Sequence, residues 1–180
     1  KYFSAADNID WTIIEFSGNR GIGYAIHHTL NEIKEQIVFR HDIGDRFGKD
    51  RFRLVWDEFC KDPSVGIIYS QAVERKNGCT RISKTPLPGF WLNLKLILGN
   101  PIIHPSVALN MNVFKKINLN YSPTLRFCED LDLWLRAINL GVKFALIDLP
   151  LLEYMRPEKA RSRKHWNANL FVRAYNWKSP

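Results

Sequence analysis

Three short apolar runs punctuate this chain: Ile37–Phe39, residues 65–69 (VGIIY) and residues 142–147 (VKFALI). Runs of this length bounded by polar breakers read as buried strands. Between them, apolar residues recur at helical spacing. A first stripe, from Gly21, carries Ile22, Ala25, Ile26, Leu30 and Ile33. A second, behind Asp50 as a candidate cap, carries Phe52, Val55, Trp56, Phe59 and Cys60, and Asp62-Pro63 breaks it. A third spans residues 129–140, with Leu131, Trp134, Leu135 and Ile138 on one face and Gly141 as its stop. Residues 11–16 (WTIIEF) add a further β-rich run, and Lys76-Asn-Gly-Cys79 is a turn signal. Strands alternating with helices restrict the chain to an α/β layered domain with a largely parallel sheet flanked by helices. Residues 85–106 hold four of the nine prolines and read as a loop that carries specificity or forms a mobile lid.

The length of 180 residues suits one domain with a sizeable core. The reading divides it into residues 1–155, a globular unit, and residues 156–180, a basic aromatic segment. Cys60, Cys79 and Cys128 are odd in number and lack metal-site spacing, which favours a reducing compartment with free thiols. Residues 1–10 carry no apolar run of the kind a secretory leader needs. The longest stretch free of Lys, Arg, Asp and Glu, residues 96–114, is interrupted by Asn100, Pro101, His104 and Asn110 and makes a poor membrane span. The expected location is cytoplasmic, with possible peripheral contact at the inner face of the membrane.

The net charge of +8 is concentrated at one end. Residues 156–180 hold seven Lys/Arg and one Glu, with Trp166, Phe171, Tyr175 and Trp177 among them. Two readings fit: a surface-binding amphipathic segment, or a solvated terminal helix packing its aromatics on the domain. Charge alone admits nucleic-acid binding, but no recognition motif accompanies it, so nucleic acid is not the expected partner.

Two acidic groups carry the candidate chemistry. Asp42 and Asp45 follow the Ile37–Phe39 run, at the end of a strand, where α/β sheets place their ligands. They suit a hard cation such as Mn²⁺ or Mg²⁺ that also holds substrate phosphates, or else a turn in which Asp42 bonds its own backbone. Glu129 and Asp130 open the third helix. They either complement its dipole or crowd each other enough to tune a general base toward neutral pH. Asn19-Arg-Gly-Ile-Gly23 before a helix offers backbone N–H groups to an anion. His104, beside Pro105-Ser106, is either a ligand or structural. His27 and His28 have no partner at metal spacing and read as surface or packing residues.

In order along the chain, these pieces resemble the inverting nucleotide-sugar glycosyltransferases of family 2, which share the GT-A fold. Asn19-Arg-Gly-Ile-Gly-Tyr-Ala25 resembles that family's helix start, and Arg40-His-Asp-Ile-Gly-Asp45 its R-x-D-x-D-D segment. His104-Pro-Ser106 resembles its acceptor-side H-x-S, Tyr121 its G-Y, and Glu129-Asp-Leu-Asp-Leu-Trp-Leu-Arg136 its E-D-x-x-L-W-x-R. The resemblance implies that Asn19, Gly21 and Asp42 meet the nucleotide-sugar donor and that Asp45 binds a metal on its diphosphate. It implies Asp130 as the base that deprotonates an acceptor hydroxyl, with Glu129 beside it. His104, Trp134 and Arg156 would line the acceptor side. A saccharide or lipid-linked saccharide would be the acceptor, and surface polysaccharide synthesis the setting.

Three departures stand against that pattern. Gly44 occupies the position of the middle acidic residue. Glu158 stands where the family has a His near the metal, and its carboxylate would serve there as a metal ligand with Asp45. The opening strand and the D-D-G-S segment of the family do not occur before Trp11, so the expectation is a donor-binding half lacking its N-terminal part. An enzyme that transfers a sugar with inversion and a non-catalytic sugar- or protein-binding relative therefore both remain as readings.

Overall fold

The computed structural model describes residue 10 and residues 12–76, 78–155 and 163–177. Strands β1 (Ile37–Phe39), β2 (Arg46–Phe47), β3 (Val65–Lys76), β4 (Cys79–Ile82), β5 (Ala108–Asn110) and β6 (Lys143–Met155) form one sheet. Its order is β1-β5-β3-β6-β2, with β4 also paired to β3. Among the described residues six α-helices accompany it: α1 (Ile22–Glu32), α2 (Arg51–Lys61), α3 (Phe90–Leu98), α4 (Met111–Lys116), α5 (Glu129–Asn139) and α6 (Arg163–Trp177).

The α/β layered architecture agrees with the sequence reading; the expected largely parallel pairing does not hold among the described strands. Only β3 and β6 run parallel, while β1–β5, β3–β5, β3–β4 and β2–β6 are antiparallel. The reason is the connection. The chain leaves β3 through the β4 hairpin and α3, and it re-enters the sheet at β5 from the opposite end. The α5 crossover then returns it parallel to β3.

The two long central strands are bulged. Their register shifts between Val65 and Ile67 and on both sides of Gln71, where Pro150 of β6 has no N–H to donate. The first bulge changes which side chains share a face. Ile67 and Tyr69 join the larger core with Leu109, Phe114, Leu131 and Trp134, whereas Val65 and Ile68 pack with Val55 and Phe59 of α2 on the other face. Gly66 is required there, because a Cβ would lie 2.5 Å from Val142 Cγ1.

Helix α5 begins at Cys128, held in the left-handed region (φ 59°), with Glu129, Asp130 and Asp132 in its first turn. It ends as the sequence indicates. Gly141 (φ 70°) donates to the Ile138 carbonyl and Val142 to that of Ala137, which satisfies two orphan carbonyls.

Several expectations are corrected. Residues 12–16 form no strand. The loop expected over residues 85–106 contains α3, whose Leu92 and Leu96 are fully buried. On α2 the inward stripe is Arg51, Val55 and Phe59, while Phe52 and Trp56 are more than half exposed. Strands β3 and β6 run well past the apolar runs that predicted them, because pairing to each other sustains their polar ends.

Candidate functional site

A cleft of about 350 Å³ opens where β1, the β4–α3 connection, the turn at His104 and the start of α5 converge. Asp42, His104 and Asp130, from three distant segments, line it together with Asn100, Lys84, Arg81 and Glu74.

Each acidic group is held differently. Asp130 is the second residue of α5. Its Oδ1 accepts from the Leu131 N–H at 2.8 Å and its Oδ2 from Asn100 Nδ2 at 2.6 Å. Both bonds fix the carboxylate at the cleft wall. Glu129 sits one residue earlier and is buried against α1, where a Cβ on Gly23 would lie 2.9 Å from its own Cβ. Burial, and then the neighbouring Asp130 charge, push its carboxyl up to about 7. The crowded pair thus tunes the buried member, while the cleft is lined by its neighbour.

Asp42 is ion-paired with Arg40. Arg40 is fixed from behind by Arg51, which is fully buried, donates to the Arg40 and Val107 carbonyls at 3.2 Å each, and lies 4.5 Å over the Phe47 ring. Desolvation lowers the Arg51 guanidinium to about 10. This clasp ties the end of β1 to the start of β5 and so sets Asp42 opposite His104. Sequence reading missed it, although Arg51 occupies the inward period of α2 with Val55 and Phe59.

Asp45 lies one turn beyond Asp42, and Oδ1 accepts from the Met155 N–H at 3.0 Å. Its Oδ2 is buried without a partner, and burial raises its carboxyl above the ordinary range. Between the two, Gly44 adopts φ 99°. The turn geometry accounts for a glycine where the resemblance leads one to expect a carboxylate.

His104 is enclosed. Its Nε2 shares a 2.8 Å hydrogen bond with the Tyr121 hydroxyl, and its ring meets Trp134 edge-on at 6.0 Å. Burial lowers the imidazole to about 4, with Asp130 opposing the shift, so it is neutral near pH 7. His27 Nδ1 donates to the Tyr121 carbonyl at 2.7 Å, a packing role that agrees with its sequence reading.

The expectation that Trp134 contacts an acceptor is corrected: it has no exposed surface and supports His104 from within the core. A hydrophobic residue on the inward period of α5 is buried by the same pattern that made the helix legible. Asn19 and Gly21 also do not line the cleft. They border a separate depression with Ile22, Arg126 and Phe127, and Asn19 Oδ1 accepts from the Gly21 N–H at 3.0 Å. Arg156 and Glu158 lie outside the described residues.

Sequence reading also missed Asn100, Lys84 and the amide that positions their loop. Gln71 Nε2 donates to the Thr85 carbonyl and Asp148, and its Oε1 accepts from Ser83 Oγ and the Thr85 N–H. With every amide valence used, Gln71 pins the strand leading to Lys84 over the cleft. Arg81 is paired with Glu74 at 2.8 Å, whereas Lys84 has no ion-pair partner among the described residues.

Among the described residues no group of three His, Cys, Asp or Glu is placed to hold a metal ion. A Mg²⁺ or Mn²⁺ that shares its coordination with substrate phosphates needs only one or two carboxylates, and the free Asp45 Oδ2 is one such oxygen.

No family model matches the chain. Over 164 residues it is 24% identical to the amylovoran biosynthesis glycosyltransferase AmsE of Erwinia amylovora, an alignment covering 90% of this chain and 61% of that protein. That alignment is a likeness in sequence to a glycosyltransferase over most of the chain. Its fold matches S. aureus TarS (residues 1–349) solved with UDP, with a TM-score of 0.64 at 14% identity over 87% of this chain and 45% of that one. The complex of TarS with UDP-GlcNAc matches with a TM-score of 0.65 at 13% identity, over 87% of this chain and 46% of that chain. The chain therefore spans about three-fifths of the curated relative and under half of these solved chains.

Proposed function

We propose that this chain carries the catalytic wall of a GT-A-type, family 2 glycosyltransferase that moves a sugar from a nucleoside-diphosphate sugar to an acceptor hydroxyl with inversion. The observation that carries the proposal is the convergence of Asp42, His104 and Asp130 on one cleft. The likeness to AmsE and to TarS bound to UDP and UDP-GlcNAc supports the donor class and a role in surface polysaccharide assembly.

In this reading Asp130 accepts the proton of the acceptor hydroxyl, its carboxylate oriented by the Asn100 amide. The hydroxyl oxygen attacks the anomeric carbon, the bond to the diphosphate oxygen breaks, and the configuration inverts. Neutral His104, locked by Tyr121, presents a fixed polar edge to the acceptor without adding charge. Lys84 supplies a cation to phosphate oxygens at the mouth of the cleft. Asp42 orients the donor. Asp45 would hold Mn²⁺ or Mg²⁺, which supplies neutralisation of charge on the departing diphosphate. The setting follows from these partners: a cytoplasmic protein acting on a saccharide or lipid-linked saccharide.

Titration calorimetry with UDP and GDP, with and without Mn²⁺, tests the donor half; Asp45→Ala should lose the metal-dependent part. With a turnover assay, Asp130→Asn should abolish transfer and leave donor binding nearly intact. Transfer at the wild-type rate in Asp130→Asn removes that residue from its role. A second reading, a non-catalytic sugar-binding relative, is favoured by Gly44, which stands where a further carboxylate beside Asp45 is expected. It predicts saccharide binding with no nucleotide affinity.

A further inference from the structure

Helix α6 is packed inside out. Its inward residues are Ala168, Asn169, Val172, Arg173 and Asn176, of which only Ala168 and Val172, both small, are apolar. Polar bonds seat it: Asn176 Nδ2 donates to Asp132 Oδ1 at 3.1 Å, Asn139 Nδ2 to the Asn176 carbonyl at 3.1 Å, and Arg173 Nε to the Leu96 carbonyl of α3 at 3.3 Å. The outward face holds Leu170, Phe171, Ala174 and Tyr175; Leu170 is 67% exposed, Phe171 59% and Tyr175 60%. A helix that only covered its own domain would show the reverse pattern.

Helix α3 runs beside it, the two sharing a groove floored by α5, and α3 leaves Phe90, Trp91 and Leu98 exposed. Neither helix contains an acidic residue: α3 reads FWLNLKLIL and α6 RKHWNANLFVRAYNW. Residues 156–180 as a whole carry a net charge of +6, from seven Lys/Arg and one Glu.

We infer that the outward face of α6, extended by α3, is a docking surface for an anionic lipid bilayer. Apolar side chains project outward as they do from helices that lie in the headgroup boundary. The charge decides between occupants. A second copy would set its own exposed Lys95 and its own +6 segment, residues 156–180, against the same groups, whereas anionic headgroups meet a basic segment without carboxylates on the two helices. The inference stands apart from the sugar-transfer reading, since it involves neither nucleotide nor cleft.

The test is cosedimentation of the chain with vesicles of phosphatidylcholine alone and of phosphatidylcholine mixed with phosphatidylglycerol, at low and high salt. The wild-type chain should bind the anionic vesicles, bind the neutral ones far less, and release with salt. The double variant L170S/F171S should lose on the order of tenfold or more in partition. Its circular dichroism should stay at wild-type values and its melting close to them, because both side chains are more than half exposed. Failure of the wild-type chain to bind anionic vesicles overturns the inference, as does undiminished binding by the folded double variant. Sedimentation velocity without lipid supplies a further refutation: a dimer that L170S/F171S abolishes would make a second copy the occupant.

Discussion

Glu129→Gln isolates the energetic cost of the buried half of the acidic pair. Glu129 is 8% exposed, and its carboxyl is raised from 4.5 to about 7, first by burial and then by Asp130. A group whose folded value lies above its unfolded value contributes stability that is complete below about pH 4.5 and lost as pH rises through 7. At about 1.4 kcal/mol per pH unit, that interval corresponds to about 3 kcal/mol. Glutamine keeps the shape and cannot ionise. The variant and the wild-type chain should therefore differ little near pH 4.5, while above pH 7 the variant should be the more stable by about 3 kcal/mol. Urea denaturation of both proteins near pH 4.5 and pH 8 measures this directly. In an Asp130→Asn background the gap should narrow, since one of its two main causes is gone. A difference between variant and wild type that is the same at both pH values would refute the reasoning, because Glu129 would then ionise as freely folded as unfolded.

Other expectations follow from individual contacts. Asn100→Ala removes the 2.6 Å donor to Asp130 and should cost about 1.5–3 kcal/mol of transition-state stabilisation, read in kcat with the donor KM little changed; an unchanged kcat would show that Asn100 does not position the base. Gly66→Ala places a methyl 2.5 Å from Val142 Cγ1 and should destabilise the chain by about 1–3 kcal/mol in denaturant melts. A melt unchanged by that substitution would mean that Val142, just before β6, can shift away from β3 at the bulge.

Local rules made part of this protein legible. The α5 boundaries follow from its acidic first turn and from Gly141, whose left-handed φ closes the helix whatever surrounds it. The strands β1, β3 and β6 announce themselves as apolar runs, and α1 as a stripe, because burial of one face writes a period into the residues. Asp42, His104 and Asp130 were likewise visible as residue types at strand and helix ends, and the cleft brings them together.

Tertiary structure decided the rest. Strand direction depends on the path of the chain between strands, which no local period records, so four of the five strand pairings reverse the expected sense. Which carboxylate faces the cleft and which is desolvated depends on the packing of Glu129 against Gly23, a residue far from it along the chain. Trp134 reads as a site residue in a motif and is buried by packing. Asn100, Gln71 and Arg51 matter through hydrogen bonds to partners 11–77 residues away, and such bonds leave no pattern in the chain. The sequence alone determines α1, α2, α5 and the apolar centres of β1, β3 and β6, and which residues can do chemistry, since these are properties of neighbours along the chain. Desolvation and orientation are properties of neighbours in space, and only the fold assigns them.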